Sequence, residues 1–403
     1  MAFRLFIILT IILIGRPQDY FPFLVPLRLA LLFTILTSFA TLLNKGFSLG
    51  RIFEIKEAKR YTLFYLIMIL GIPFAYYRRL AFEVTFLTYL SNMLYFYLFV
   101  IHVDSIRKLK TILFALSISA LSYSIFAFVS GRFSQGRLFA GTIFDPNDIA
   151  FLLISILPLS FILFAIKESF LIKKIATASI FISLSVILMT GSRGGFVGLI
   201  AVFVMIFFSK SNILRKSHKI ALVAAIFIVF ISYGKNIDVD RYMSITNIEN
   251  DYNVTDEFGR IAIWKQAIGI TLSHPITGVG VYCFPEAIGV DRENSGMIPR
   301  WQVTHNSYLQ VSSEVGLIGF VIFISIIIGC IKNFSYFSKL EISSVEVNEI
   351  KTISGLLRTG LIGTVIIAFF LSQAYSILFT LYFAFSAVMR KLIIFNKDRE
   401  YPG

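Results

Sequence analysis

Charge is scarce in this sequence. Only 15% of its 403 residues are Asp, Glu, Lys or Arg, where soluble domains carry about 25%, so too few polar side chains exist to coat a water-facing surface. An ordinary cytosolic enzyme is excluded. Cysteine is nearly absent: Cys283 and Cys330 stand 47 residues apart, one expected in a loop and one inside an apolar run, and neither a disulfide framework nor a metal ribbon follows. The patterns G-x-x-x-x-G-K-S/T and H-E-x-x-H do not occur. Nucleotide hydrolysis and zinc proteolysis of the familiar kinds thereby lose their support. There is no internal repeat.

What is abundant is apolar. Hydrophobic residues make up 57%, with Phe 43, Tyr 18 and a mean hydropathy of +0.81, so much of the exterior must face lipid and the chain is polytopic in a membrane. Apolar segments run at 3–14, 22–43, 61–76, 80–101, 111–129, 148–166, 175–190, 195–209, 220–233, 306–331, 355–371 and 374–390. The reading is an all-α polytopic membrane protein of about 12 transmembrane helices with one large periplasmic loop containing short helices. Residues 1–233 hold spans one to nine, 234–305 form the loop, and 306–403 carry the last three spans and a cytoplasmic tail. The first segment is short for a full crossing and halts at Gly15-Arg16-Pro17; no small-residue cleavage site follows, so it is read as a retained helix and not a signal peptide.

Net charge is +14, which in a soluble domain would suggest nucleic acid. Here the basic residues fall between apolar runs and no nucleic-acid partner is expected. With the N-terminus inside, the inner connections hold 23 Lys and Arg and the short outer ones 6. Both termini are therefore expected in the cytoplasm. The long connection 234–305 lies outside and holds both Trp and two of the four His. Within it, 258–272 reads as an amphipathic helix with apolar positions at 261, 264, 268 and 272, ended by Pro275. The polar run 236–257 before it is expected to act as a mobile lid.

Several outer residues could carry chemistry. Arg193 lies in Thr-Gly-Ser-Arg-Gly-Gly, where glycines let backbone N–H groups converge beside a guanidinium, an arrangement suited to phosphate; the alternative is an interfacial arginine at a span end. Arg260 opens the loop helix, where a cation calls for a nearby anion, either a ligand or Asp256 or Glu257. His305 opens the tenth span and has the chemistry of a general base at the membrane surface, although a structural histidine fits the position too. On a continuous helix Ser312, Gly316 and Gly319 would share its face, whereas Glu314 would point away and pair with an arginine of another span. Asp145 and Asn147 in Gly-Thr-Ile-Phe-Asp-Pro-Asn-Asp read first as turn and N-cap residues, second as groups facing a sugar, with Arg132 and Arg137 adding positive charge. Asp238-Val-Asp240 is a minimal D-x-D and is read as ordinary loop acids, so no metal is assigned.

These segments resemble the O-antigen ligase and polymerase family of bacterial inner-membrane glycosyltransferases. His305-Asn306, nine residues, then Gly316-Leu-Ile-Gly319 matches the pattern H-(N/S/Q)-x9-G-x-x-(G/T/Y). The Gly-Thr-Ile-Phe-Asp-Pro-Asn-Asp, Gly-Ser-Arg-Gly-Gly and His-Pro-Ile-Thr-Gly-Val-Gly stretches are similar to recurrent family segments. The resemblance implies a GT-C type, inverting, metal-independent and cofactor-free transfer from an undecaprenyl-diphosphate-linked glycan donor, with lipid A-core or a growing glycan as acceptor. It implies His305 as base and Arg193 and Arg260 as the grip on the donor diphosphate, with Arg137, Asp145, Asn147 and Asn306 as further substrate-binding candidates. The active site would face the periplasm. A ligase is favoured over a chain polymerase. A flippase is disfavoured because the long connection follows the ninth span and not the sixth.

Overall fold

The computed structural model describes residues 1–43, 52–141, 144–208, 242, 259–296, 298–340 and 345–400. The expected ninth span, the Asp238-Val-Asp240 pair and, Tyr242 apart, the polar run 236–257 lie outside these residues. The other eleven apolar segments all fall on helices. Among the described residues seven helical stretches are long and apolar enough to cross a membrane, and two apolar helices, Ala2–Gly15 and Arg193–Phe207, are shorter.

The first segment is α1 (Ala2–Gly15), broken from α2 (Pro17–Tyr20) where Arg16 turns left-handed at φ 50°. It buries Phe6, Leu9 and Ile14 in the main core. After a 3-10 turn at Pro22–Leu27 come α3 (Leu29–Leu42) and α4 (Lys56–Gly71). The next crossing is α5 (Arg78–Glu83), a π turn at Val84–Tyr89 and α6 (Leu90–His102). Then α7 (Ile106–Ser130) leads into a hairpin, β1 (Arg132–Ser134) against β2 (Arg137–Phe139), followed by α8 (Pro146–Ala165), α9 (Phe170–Met189) and α10 (Arg193–Phe207). The loop holds α11 (Arg260–Ser273) and α12 (Phe284–Asn294), and the chain ends with α13 (Ser307–Phe337), α14 (Val345–Ala368) and α15 (Ile377–Glu400).

α8 sits in the middle, buried along most of its length and packed on α7, α9, α10 and α14. Lipid supplies no hydrophobic drive between helices, so small residues and hydroxyls join them. Ser160 of α8 bonds Ser117 of α7 at 2.8 Å and Ser179 of α9 at 3.1 Å, while Thr364 of α14 donates to Ser155 at 2.9 Å. At the opposite end from the loop, Arg390 of α15 bridges the buried Glu57 of α4 at 3.1 Å, and Asn333 of α13 bonds both Glu57 and Arg390. A buried carboxylate there is tolerable because it is paired and hydrogen-bonded.

α13 is not one continuous rod. Gly316 adopts φ 78°, ψ 176°, outside helical space. The segment after Pro275 fills the break: Val279 and Gly280 N–H groups donate to the Ser313 and Glu314 carbonyls at 2.9 Å each, and Leu317 N–H donates to the Pro275 carbonyl at 2.8 Å. A Cβ on Gly316 would stand 2.4 Å from the Ile276 carbonyl oxygen, and one on Gly278 2.3 Å from the Glu314 carbonyl carbon. The backbone groups freed by breaking a span are thus satisfied by the loop, the condition for irregular backbone at such depth.

Candidate active site

The helical face expected for His305 does not exist as drawn. His305 is not helical: it turns left-handed at φ 49°, Asn306 caps α13 by accepting from Tyr308 and Leu309 N–H at 2.9 and 3.1 Å, and the break at Gly316 ends the periodicity that would link 305 to 319. The expected partner of Glu314 is corrected too. Its buried carboxylate accepts the Tyr282 N–H at 2.9 Å, and no arginine pairs with it among the described residues. Burial selected the nearest fixed donor, a backbone amide presented by the turn that fills the helix break.

The His305 corner is held from α15's side. Its N–H donates to Ser372 Oγ at 2.8 Å, and Ser372 also bonds Thr304 at 2.9 Å. The Trp264 indole N–H of α11 donates to the Thr304 carbonyl at 3.1 Å, and Thr271 bonds Ser312 at 3.0 Å. These contacts seat α11 along α13 and bring Arg260, its first residue, within electrostatic reach of the imidazole. Burial pushes the His305 pKa below its usual value, and the Arg260 charge lowers it further, against a smaller opposing pull from Asp145. At neutral pH the ring is uncharged and able to accept a proton. Among the described residues neither ring nitrogen has a hydrogen-bond partner.

The apolar stripe read on α11 lies on the outward face: Ile261, Ile268 and Leu272 are exposed, whereas Ile263, Ala267 and Thr271 are buried. The stripe rule assigns an apolar face to protein, but beside a membrane an apolar face has a second apolar phase available. α12 went unread because Phe-Pro-Glu-Ala-Ile-Gly-Val-Asp has no clear apolar period; Pro285 in its first turn was the available start signal.

Asp145 takes its first expected role. It caps α8, accepting from Asn147 and Asp148 N–H at 2.7 and 2.9 Å, with Asp148 accepting from the Asp145 N–H in return. Asn147 Oδ1 then gathers the Arg137 guanidinium and the Ser192 hydroxyl, each at 2.9 Å. Ser192 caps α10, whose first residue is Arg193, so the hairpin arginine, the α8 cap and the Arg193 turn form one connected unit. Gly194 packs this turn on Phe370, leaving no room for a side chain. Phe370 in turn leads directly into residues 371–375, the segment that holds His305.

That segment, 371–375, is what reading the sequence missed. Besides Ser372 on His305, Gln373 donates to Asp148 at 2.7 Å through Nε2 and to Ser307 at 2.9 Å through its N–H, and the Ala374 N–H donates to Gln310 at 3.2 Å. Ser-Gln between two apolar runs reads as an ordinary turn, and the only available signal was polar residues in a connection too short to be a free loop.

With this geometry in view, residues 178–324 match the family model described as O-antigen ligase. The match supports an O-antigen ligase-like domain over these residues. The matched stretch runs from α9 through the break in α13 and contains Arg193, Arg260 and His305, the three residues to which the resemblance gave roles. The match supports a glycosyltransferase-like membrane enzyme. No curated protein matches the sequence.

Proposed function

We propose that this O-antigen ligase-like protein moves a glycan from undecaprenyl diphosphate to an acceptor hydroxyl on the periplasmic face of a bacterial inner membrane, most favourably as a ligase acting on lipid A-core. The observation that carries the reading is the His305 corner: a neutral imidazole without a hydrogen-bond partner among the described residues, electrostatically coupled to Arg260. His305 takes the proton of the acceptor hydroxyl as its oxygen attacks the anomeric carbon. The glycosyl–phosphate bond breaks with inversion, and its electron pair leaves on the diphosphate. Arg260 and Arg193 neutralise the charge that develops there, which requires no metal. Arg137, Asp145, Asn147 and Asn306 are read as the frame of the site more than as its contacts, since each already bonds a neighbouring element.

Glycolipids extracted from a deletion strain test the reading. A ligase leaves long lipid-linked polymer and unsubstituted lipid A-core; lipid A-core capped with single repeat units identifies a polymerase instead. Transfer by the purified protein persists in excess EDTA. Loss on chelation with recovery on adding magnesium would replace the arginine-only mechanism.

A further inference from the structure

Tyr282 stands out beyond the residues considered so far. It is a bulky aromatic at φ 60°, a conformation that aromatic side chains seldom adopt and that points to a functional demand when surrounding contacts enforce it. The contacts here are explicit. Its N–H is held by the Glu314 carboxylate at 2.9 Å, and the Cys283 N–H closes the turn on the Gly280 carbonyl at 3.0 Å. The enforced turn leaves the residue 42% exposed while its ring lies against Tyr375, centroids 5.6 Å apart and tilted by 35°. The Tyr375 hydroxyl is itself buried and lies against the Glu314 carboxyl group. Two residues before Tyr375, Gln373 is bound to Asp148 at 2.7 Å. Both Asp148 and Glu314 act on the Tyr282 phenol, whose pKa is pushed up to about 12, mostly by burial, so the hydroxyl stays a donor at any physiological pH.

An aromatic face beside a carboxylate and a primary amide is complementary to a sugar ring: the apolar C–H face stacks on the aromatic, and adjacent hydroxyls donate to the carboxylate and exchange with the amide. The Asp148 carboxylate repels phosphate, so the cluster suits a neutral polyol, while the arginines suit the diphosphate. We propose that Tyr282, with Gln373 and Asp148 beside it, is the platform of a subsite for a sugar ring of the glycan substrate, continuous with the His305 corner through residues 372–375. The subsite rests on the glycan-transfer reading above and deepens it.

The test is saturation-transfer NMR on the full chain in micelles, using as probe the glycan released by mild acid from the lipid fraction of the host strain. Saturating the protein's aromatic protons should mark ring C–H protons of the glycan. Tyr282→Gly and Tyr282→Asn both suit a left-handed backbone and remove the ring; each should cut the signal about tenfold, with melting temperature near that of the parent, whereas Tyr282→Phe should hold it within about twofold. Undiminished signal in either folded ring-deleted variant, or no signal from the parent protein, overturns the subsite. His305→Ala should bind glycan as the parent does yet fail to transfer it. Transfer by that variant would instead defeat the catalytic reading and leave the sugar platform standing.

Discussion

In the proposed transfer His305 has to be neutral to act as base, and its surroundings favour that form. Because burial and then Arg260 lower its pKa, the protonated, inactive form gains ground only below the usual histidine value of about 6.5. The acid limb of a kcat/KM profile should accordingly lie below that value, and Arg260→Gln should move it upward by removing one of the two lowering influences. A limb that stays in place would separate Arg260 from His305. His305→Ala should cost on the order of 10²–10⁴-fold in transfer with normal membrane insertion. For Arg193 and Arg260, Lys should fall on the order of 100-fold short of Arg, since an ammonium cannot offer the paired donors of a guanidinium to a leaving phosphate; full donor binding by either Lys variant would reduce that contact to a point charge. These three residues were legible because arginine and histidine next to outer glycine turns are chemically conspicuous. Ser372 and Gln373 were not, since a serine and a glutamine acquire meaning only when folding carries them to His305 and Asp148.

Among the elements, the broken α13 decides most. A period of 3.6 residues describes 307–315 and 317–337 separately, and a helical wheel drawn across Gly316 misplaces everything on one side of it. The H-P-I-T-G-V-G segment and the glycine pattern after His305 are two halves of one device, a loop seated in a helix break. Each half is visible in sequence, but their meeting is not, because it consists of backbone hydrogen bonds that any residue can donate. Gly316→Ala should lose about 1–3 kcal/mol from strain alone, and more from the approach of the Ile276 carbonyl. It should also depress transfer through the displaced 276–282 turn. Gly269→Ala, in the interior of α11 with open space around it, should be neutral or stabilising by about 0.5–1 kcal/mol. Thermal melting in one detergent compares the two, and equal shifts would deny the break its structural role.

For the whole molecule the open quantity is sidedness, and charge makes a definite statement about it. The basic excess flanks the ends of the spans opposite to the site: Arg107, Lys108 and Lys110 begin α7, and Lys332 and Lys339 flank the end of α13. The hairpin, the Arg193 turn, α11 and the His305 corner gather at the other end. By the positive-inside bias the site is expected outside, where a lipid-linked glycan would meet an acceptor hydroxyl. Cysteine labelling can read this directly, because the background is low. Cys283 and Cys330 are both buried and free, and burial pushes the Cys283 thiol up to about 11, far from the thiolate that maleimides need. A cysteine replacing Gln135 at the hairpin tip should react with a membrane-impermeant maleimide in intact spheroplasts. One replacing Lys339 should react only after permeabilisation. The reverse pattern would turn the molecule over, put Arg193 and His305 on the cytoplasmic side, and end the proposal that transfer occurs in the periplasm.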